Sequence, residues 1–359
     1  MTEQGTVTMF DLLLYVVCFT DSQAPGLHAY RYNPATGALT PLAAIGKGVA
    51  NPIYACADPA KRVLYVIDVV DECDGTPGGA VAAFRIEHDT GKLTLINRKP
   101  SRGCGPCYID MHQTGKFVTV ASYNSGSVSV LPIRDDGSLG DAVSAVEHDP
   151  NGGNAKAHCF RFDPAHRFAL AADLGIDQIK VYRFDAATGV ITPNDPPFLS
   201  AAKGAGPRHL AFSPSGRFAY CQTEYDNTMI AMAYDGGAGS LSLIEAQPTV
   251  PADCTETSYG SDVHVHPTGR FVYGANRGHE SIAVFRADAA TGKLTLVEHV
   301  PTQGNFPRGF VIDPAGQFML VGNEKSDNIV TFSIDQETGK LTPTGQVTDV
   351  AKPVCFVFL

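Results

Sequence analysis

A short pattern recurs along the whole chain and limits the fold more than any other feature. Thr-Gly-x-Leu stands at Thr36–Leu39, Thr90–Leu93, Thr291–Leu294 and Thr338–Leu341. Looser copies stand at Asp136–Leu139, Thr188–Ile191 and Ala238–Leu241. The seven glycines of these copies lie 46 to 54 residues apart. Self-similarity at a period of about 50 residues marks one supersecondary unit used repeatedly.

Two further elements keep the same period. One reads Pro, small residues, Gly, a basic residue, then aromatic and aliphatic residues: "DPAKRVLYVID" from Asp58, "SPSGRFAYCQTE" from Ser213, "HPTGRFVYGANR" from His266 and "DPAGQFMLVGNE" from Asp313. The other is a short alternating segment: "GAVAAFRI", "QIKVYRF", "SIAVFRA", "NIVTFSI". None shows a helical period. Each unit therefore holds four short strands, here A to D. A precedes the Pro-containing turn, B follows it, C is the alternating strand and D follows Thr-Gly-x-Leu. Four strands per repeat, arranged radially, predict an all-β, seven-bladed β-propeller with A lining the channel and D at the rim. With 36 Gly and 24 Pro the chain is rich in turn formers, and with no Trp it is a poor fit to WD40 or kelch repeats.

The two ends are incomplete units that complement each other. "KPVCFVFL" at residues 352–359 has the character of strand A alone, and "LLLYVVCF" near the start has that of strand B. Pairing them in one shared blade closes the ring and hides two sheet edges. Residues 1–359 then form one domain, with 1–11 expected to be a flexible extension.

The repeats serve as their own alignment. Strand A opens at Pro52, Pro106, Ala157, Pro207, Gly260, Pro307 and Pro353; the next residues are Ile53, Cys107, His158, Arg208, Ser261, Arg308 and Val354. At the end of B stand Phe19, Val69, Tyr123, Leu174, Glu224, Arg277 and Glu324. A and B are antiparallel, so both rows lie on one face of the disk. Polar residues fall on consecutive blades, which predicts an off-centre pocket at one channel mouth. Lys156 and His209 flank these rows and join Arg308, Ser261 and Glu324 as expected substrate-binding residues.

A net charge of -10 argues against a nucleic-acid partner. No apolar run reaches the ~18 residues of a membrane span, so no membrane partner is expected. Nine scattered Cys do not read as a disulfide framework, and the expected location is the cytoplasm. Cys104-Gly-Pro-Cys107 has thioredoxin-like spacing but runs into a strand pattern rather than a helix. His264 and His266 share a strand face, yet no third ligand is visible, and a turn role is expected for His266. No cofactor or metal is expected, since dinucleotide, P-loop, serine-elbow and zincin motifs are absent from the sequence.

The segments "AHCFRFDPAHRFALAADLGIDQIKVYRF", "GPRHLAFSPSGRFAYCQTEYDNT", "GRFVYGANRGHESIAVF" and "GNFPRGFVIDPAGQFMLVGNEKSDNIVTF" resemble the seven-bladed lactonase propeller family. That family takes in propeller-type 6-phosphogluconolactonases and fungal carboxymuconate cycloisomerases. The resemblance covers nearly the whole chain. In its cycloisomerase branch the resemblance implies a site of one His, two Arg and one Glu, which match His158, Arg208, Arg277 and Glu224; Ala157 departs from the Pro common before the His. The expected activity is metal-independent hydrolysis of a sugar lactone, most readily 6-phosphogluconolactone. Glu224 is then the expected base, His158 a proton donor, and Arg208, Arg277 and Arg308 the clamp for an anionic substrate. Lactone formation from a carboxymuconate-like diacid is the alternative enzyme reading, and a non-catalytic binding scaffold the alternative from another class. The oligomeric state is not legible.

Overall fold

The computed structural model describes residues 12–20, 24–45 and 48–359. The expected extension at residues 1–11 lies outside them. Among the described residues there is no helix, and no helix therefore long and apolar enough to cross a membrane. Seven four-stranded antiparallel sheets form the blades of a β-propeller. Blade 1 runs Pro52–Asp58, Val63–Asp68, Ala80–Ile86 and Leu93–Pro100, with a small hairpin, Glu72–Cys73 and Thr76–Pro77, after strand B. Blades 2 to 6 open with Pro106–Met111, Ala157–Phe162, Pro207–Phe212, Tyr259–Val265 and Pro307–Ile312. In the seventh, Leu12–Cys18, Leu27–Asn33 and Ala38–Ile45 are joined by Pro353–Phe358. Leu14 faces Phe358 and Val16 faces Phe356 across that last pair.

The repeated sequence elements turn out to be contacts between blades. Strand B is the most buried strand: all residues of Val63–Asp68, Phe117–Ser122 and Phe168–Asp173 are buried. Its tyrosines reach into the neighbouring blade's Thr-Gly-x-Leu turn. Tyr15 donates its hydroxyl to Gly91 O at 2.9 Å, Tyr65 to Gly137 O at 3.0 Å and Tyr273 to Gly339 O at 3.0 Å. The turn glycine also seats an aromatic ring. An added Cβ at Gly292 would lie 2.4 Å from the Phe218 ring, so the turn needs Gly for space as well as for its φ of +72°.

Strand A starts on a residue with no N–H to offer in five blades, which suits a strand's first position. One residue later every blade carries a β-bulge. The register shifts between Pro52 and Ala55, Pro106 and Tyr108, Ala157 and Cys159, Pro207 and His209, Gly260 and Val263, and Pro307 and Gly309. The shared blade has the same irregularity opposite Val17 and Cys18. A bulge leaves one residue outside the ladder and re-aims its side chain. Here the re-aimed residues are the row Ile53, Cys107, His158, Arg208, Ser261, Arg308 and Val354.

Candidate active site

A cavity of about 300 Å³ opens at the mouth onto which the bulges point. His158, Arg208 and Arg308 line it from the bulged positions; Glu224 and Arg277 line it from the ends of strand B. Ile53, Cys107, Phe19, Val69 and Tyr123 line it from further positions of the same two rows. Position at the end of B is set by backbone bonds back to strand A's approach: Glu224 N–H donates to Gly206 O at 2.7 Å, and Gly260 N–H donates to Glu224 O at 3.0 Å. The four residues that the sequence selected as catalytic therefore meet in one pocket.

Two guanidiniums share one carboxylate there. Arg208 Nη1 and Arg277 Nη2 both bond Glu224 Oε2, the second at 3.0 Å. Arg277 Nη2 also donates to Gly260 O at 2.7 Å. Its guanidinium lies 5.2 Å from the Phe306 ring centroid and 5.9 Å from that of Tyr259. Arg308 lies over Phe19 at 4.8 Å and within 3.8 Å of Glu324 Oε2. Flat aromatic faces hold the planar cations without using their N–H donors.

Electrostatics follow from this crowding. Burial, then Arg208 close by, brings Arg277 down to about 9 and Arg308 down to about 10. Both stay charged at neutral pH, but each repels the other cations, and an anion entering the pocket relieves that repulsion. Burial followed by Arg208, His209 and Arg308 holds His158 well below the ordinary histidine range, so its ring is neutral. For Glu224, burial pushes upward, but Arg208 and Arg277 outweigh it and the carboxyl ends below its usual range. A carboxylate held this way is committed to its two cationic partners. Its stronger service is to fix two guanidiniums against each other.

Four expected binding residues are placed differently. Ser261 occupies its bulge but is fully buried, its hydroxyl donating to Pro307 O at 2.7 Å and Ala275 O at 3.2 Å; it is a strand-to-strand tie and not a pocket wall. A hydroxyl on so short a side chain takes the nearest carbonyls instead of reaching the mouth. His209 follows the bulged Arg208, so alternation turns it down into the channel below the pocket. Lys156 stands beside the pocket with Nζ 5.3 Å over Tyr123, and Glu324 acts on Arg308 without lining the cavity.

Pocket residues not foreseen include Asn51 and Asn124, with Phe306 and Tyr259 behind Arg277. Asn51, Tyr259 and Phe306 each immediately precede the strand A marker, so a third row of the same repeat alignment held the signal. His266 has the expected turn role, with Nε2 2.8 Å from Gly316 O and Nδ1 2.8 Å from Thr268 Oγ1. No cluster that could hold a metal ion occurs among the described residues. Cys104 and Cys107 lie in the loop and strand start expected of them, both as free thiols.

A family model described as lactonase, 7-bladed β-propeller, matches residues 13–358. The chain belongs to the seven-bladed β-propeller lactonase family. A 6-phosphogluconolactonase of Bacillus subtilis is 39% identical over 304 residues, which cover 83% of this chain and 84% of the relative. One from Pectobacterium carotovorum is 32% identical, with 83% and 84% covered. Among solved structures, the periplasmic gluconolactonase of Pseudomonas aeruginosa superposes with a TM-score of 0.88 at 30% identity, over 97% of this chain and 99% of its own.

Proposed function

We propose that this chain is a lactonase that hydrolyses 6-phosphogluconolactone to 6-phosphogluconate. The observation that carries this reading is the set of guanidiniums at one pocket of an otherwise acidic protein, two of them with depressed pKa values. Such a mouth favours a small molecule that brings its own negative charge, as a phosphorylated sugar lactone does. The names of its relatives point to the same substrate.

Opening a lactone requires water to add to the carbonyl, an oxyanion to be stabilised, and a proton to reach the ring oxygen. In this reading Arg308, with Lys156 beside the pocket, attracts the phosphate. Arg208 and Arg277, locked by Glu224, supply preorganised donors for the oxyanion. Neutral His158 adds an N–H toward the same oxygen, since an uncharged imidazole donates one hydrogen bond. In this reading Glu224 acts through the arginines and not as the base expected from the sequence, because it is committed to two guanidiniums that share its Oε2. The free state of all nine cysteines supports a reducing cytoplasm as the place of action.

The test is acid release from 6-phosphogluconolactone by purified protein, corrected for spontaneous hydrolysis and set against Glu224→Gln. Loss of the shared anion frees two arginines, and kcat should fall by about 10²-fold, the scale of losing one preorganised oxyanion donor. A folded Glu224→Gln protein with wild-type turnover would remove Glu224 from the mechanism. Wild-type protein inert on every sugar lactone would overturn the lactonase reading.

A further inference from the structure

Directly beneath the pocket the channel narrows to a throat. Its walls are Ile53, Cys107, His158, Arg208 and Arg308, all shared with the pocket above, together with Tyr54, His209 and Val354. The throat offers about 10 Å³ to the centre of a water-sized sphere, which is room for one water molecule.

His209 is the informative wall. Its Nδ1 lies 2.8 Å from Asp262 Oδ1. A carboxylate only accepts, so Nδ1 carries the proton and donates it. In the neutral ring this leaves Nε2 as a bare acceptor on the opposite edge. That Nε2 is buried and has no hydrogen-bond partner within the protein, in a residue only 5% exposed. Leaving a buried acceptor unpaired costs about 1–3 kcal/mol, so the position calls for a donor from the throat. Asp262 is itself well anchored, by Val263 N–H at 3.0 Å, Phe310 N–H at 3.4 Å and His264 Nε2 at 3.3 Å.

We propose that the throat is a built site for one water molecule, held by His209 Nε2, and that this is the water that attacks the lactone carbonyl. The proposal rests on the lactonase reading for its chemistry and on the throat geometry for its site. The water donates one O–H to Nε2, and the Arg208 guanidinium in the throat wall, whose buried Nε has no partner within the protein, supplies an N–H donor to one of its lone pairs. On attack, the water oxygen bonds to the carbonyl carbon and its proton moves to Nε2. As the ester C–O bond breaks, the ring oxygen takes that proton, and the new carboxyl releases its own to solvent. Water is consumed and His209 ends as it began. Asp262 is the positioning residue: it sets the tautomer and offsets the charge that His209 gains beside two arginines.

The groups facing His209 are Asp262 on the adjoining strand, Arg208 and Arg308, the His158 ring at 5.3 Å, and the Tyr108 and Tyr54 rings at 5.4 and 6.0 Å. His264 stands behind Asp262. Burial lowers His209 to about 4, against the upward pull of Asp262. The ring is therefore neutral and able to take a proton throughout the working range. Removing the Asp262 charge removes that upward pull, so the histidine becomes harder to protonate.

Three measurements test this. A crystal structure of the wild-type protein should show a water within hydrogen-bond distance of His209 Nε2; a dry throat overturns the site. His209→Gln and Asp262→Asn should each lower kcat by about 10²-fold or more, the scale of general-base catalysis, with KM changed less than about threefold because neither group contacts the anion. In Asp262→Asn, the acid limb of the kcat/KM profile should also move to lower pH. A purely structural dyad would lower Tm and leave the acid limb in place, and that result overturns the catalytic role. If both variants fail to fold, the water in the wild-type crystal structure decides: its presence on Nε2 supports the site and a dry throat overturns it. Wild-type protein inert on lactones would refute the lactonase reading, and the attacking-water role with it, while the crystal structure still judges the site.

Discussion

Arg308 separates two tasks that the pocket combines. It lies over Phe19, away from the ion pairs around Glu224, and its own carboxylate partner is 3.8 Å off. It is the guanidinium freest to meet an incoming anion. Arg308→Ala should therefore raise KM for 6-phosphogluconolactone about tenfold or more while changing kcat much less, as loss of binding common to ground and transition states requires. Equal falls in kcat and kcat/KM would move Arg308 from the clamp to the oxyanion. The same residue scale shows where sequence reasoning stops. The two rows read from the repeats put His158, Arg208, Glu224 and Arg277 at one mouth. They also put Ser261 there, because a repeat position reports where a Cα lies and not which carbonyl a short hydroxyl will find.

At the scale of the element, the Thr-Gly-x-Leu turn is a bolt between blades. Gly292 seats against Phe218 of the preceding blade, and Tyr220 donates to Gly292 O at 3.3 Å. Gly345 supplies the control: its φ is +83°, but an added Cβ meets nothing within 4 Å. Both Ala substitutions carry the backbone strain of a left-handed residue, about 1–2 kcal/mol. Only Gly292→Ala adds overpacking, typically about 1–3 kcal/mol. Its Tm should fall clearly further than that of Gly345→Ala. Equal losses would mean that the turn glycine serves backbone conformation alone and that the ring contact has room to give. The strand A bulge is the other decisive element. It recurs in every blade and in five of them turns its residue toward the pocket, which is why neighbouring blades can build a site from single side chains.

For the whole molecule, closure and buried histidines set how the ring responds to acid. His112, His158, His166 and His209 are all lowered, each chiefly by burial. A histidine with a folded pKa below its unfolded value of about 6.5 binds protons more readily when unfolded. Stability is therefore full above about pH 6.5 and declines as pH falls from there toward the folded values. Glu224, held down against burial by Arg208 and Arg277, and Asp262, held down against burial by its contacts with His264 and His209, add to the loss further down. Tm should hold steady from pH 8 to 7 and drop progressively between pH 6.5 and 4. A Tm unchanged down to pH 4.5 would show that these rings accept protons without strain. The architecture itself was legible in the sequence, because a propeller repeats one local pattern seven times and each copy needs the same turn glycine and buried strand, with Pro opening strand A in five of the seven. Local chemistry of that kind leaves its mark on every repeat. The doublet of arginines on Glu224, the descent of His209 into the throat and the dyad it forms with Asp262 were not legible. They depend on bulge geometry and on which side chains from different blades converge on the axis, and such distances exist only once the ring has closed.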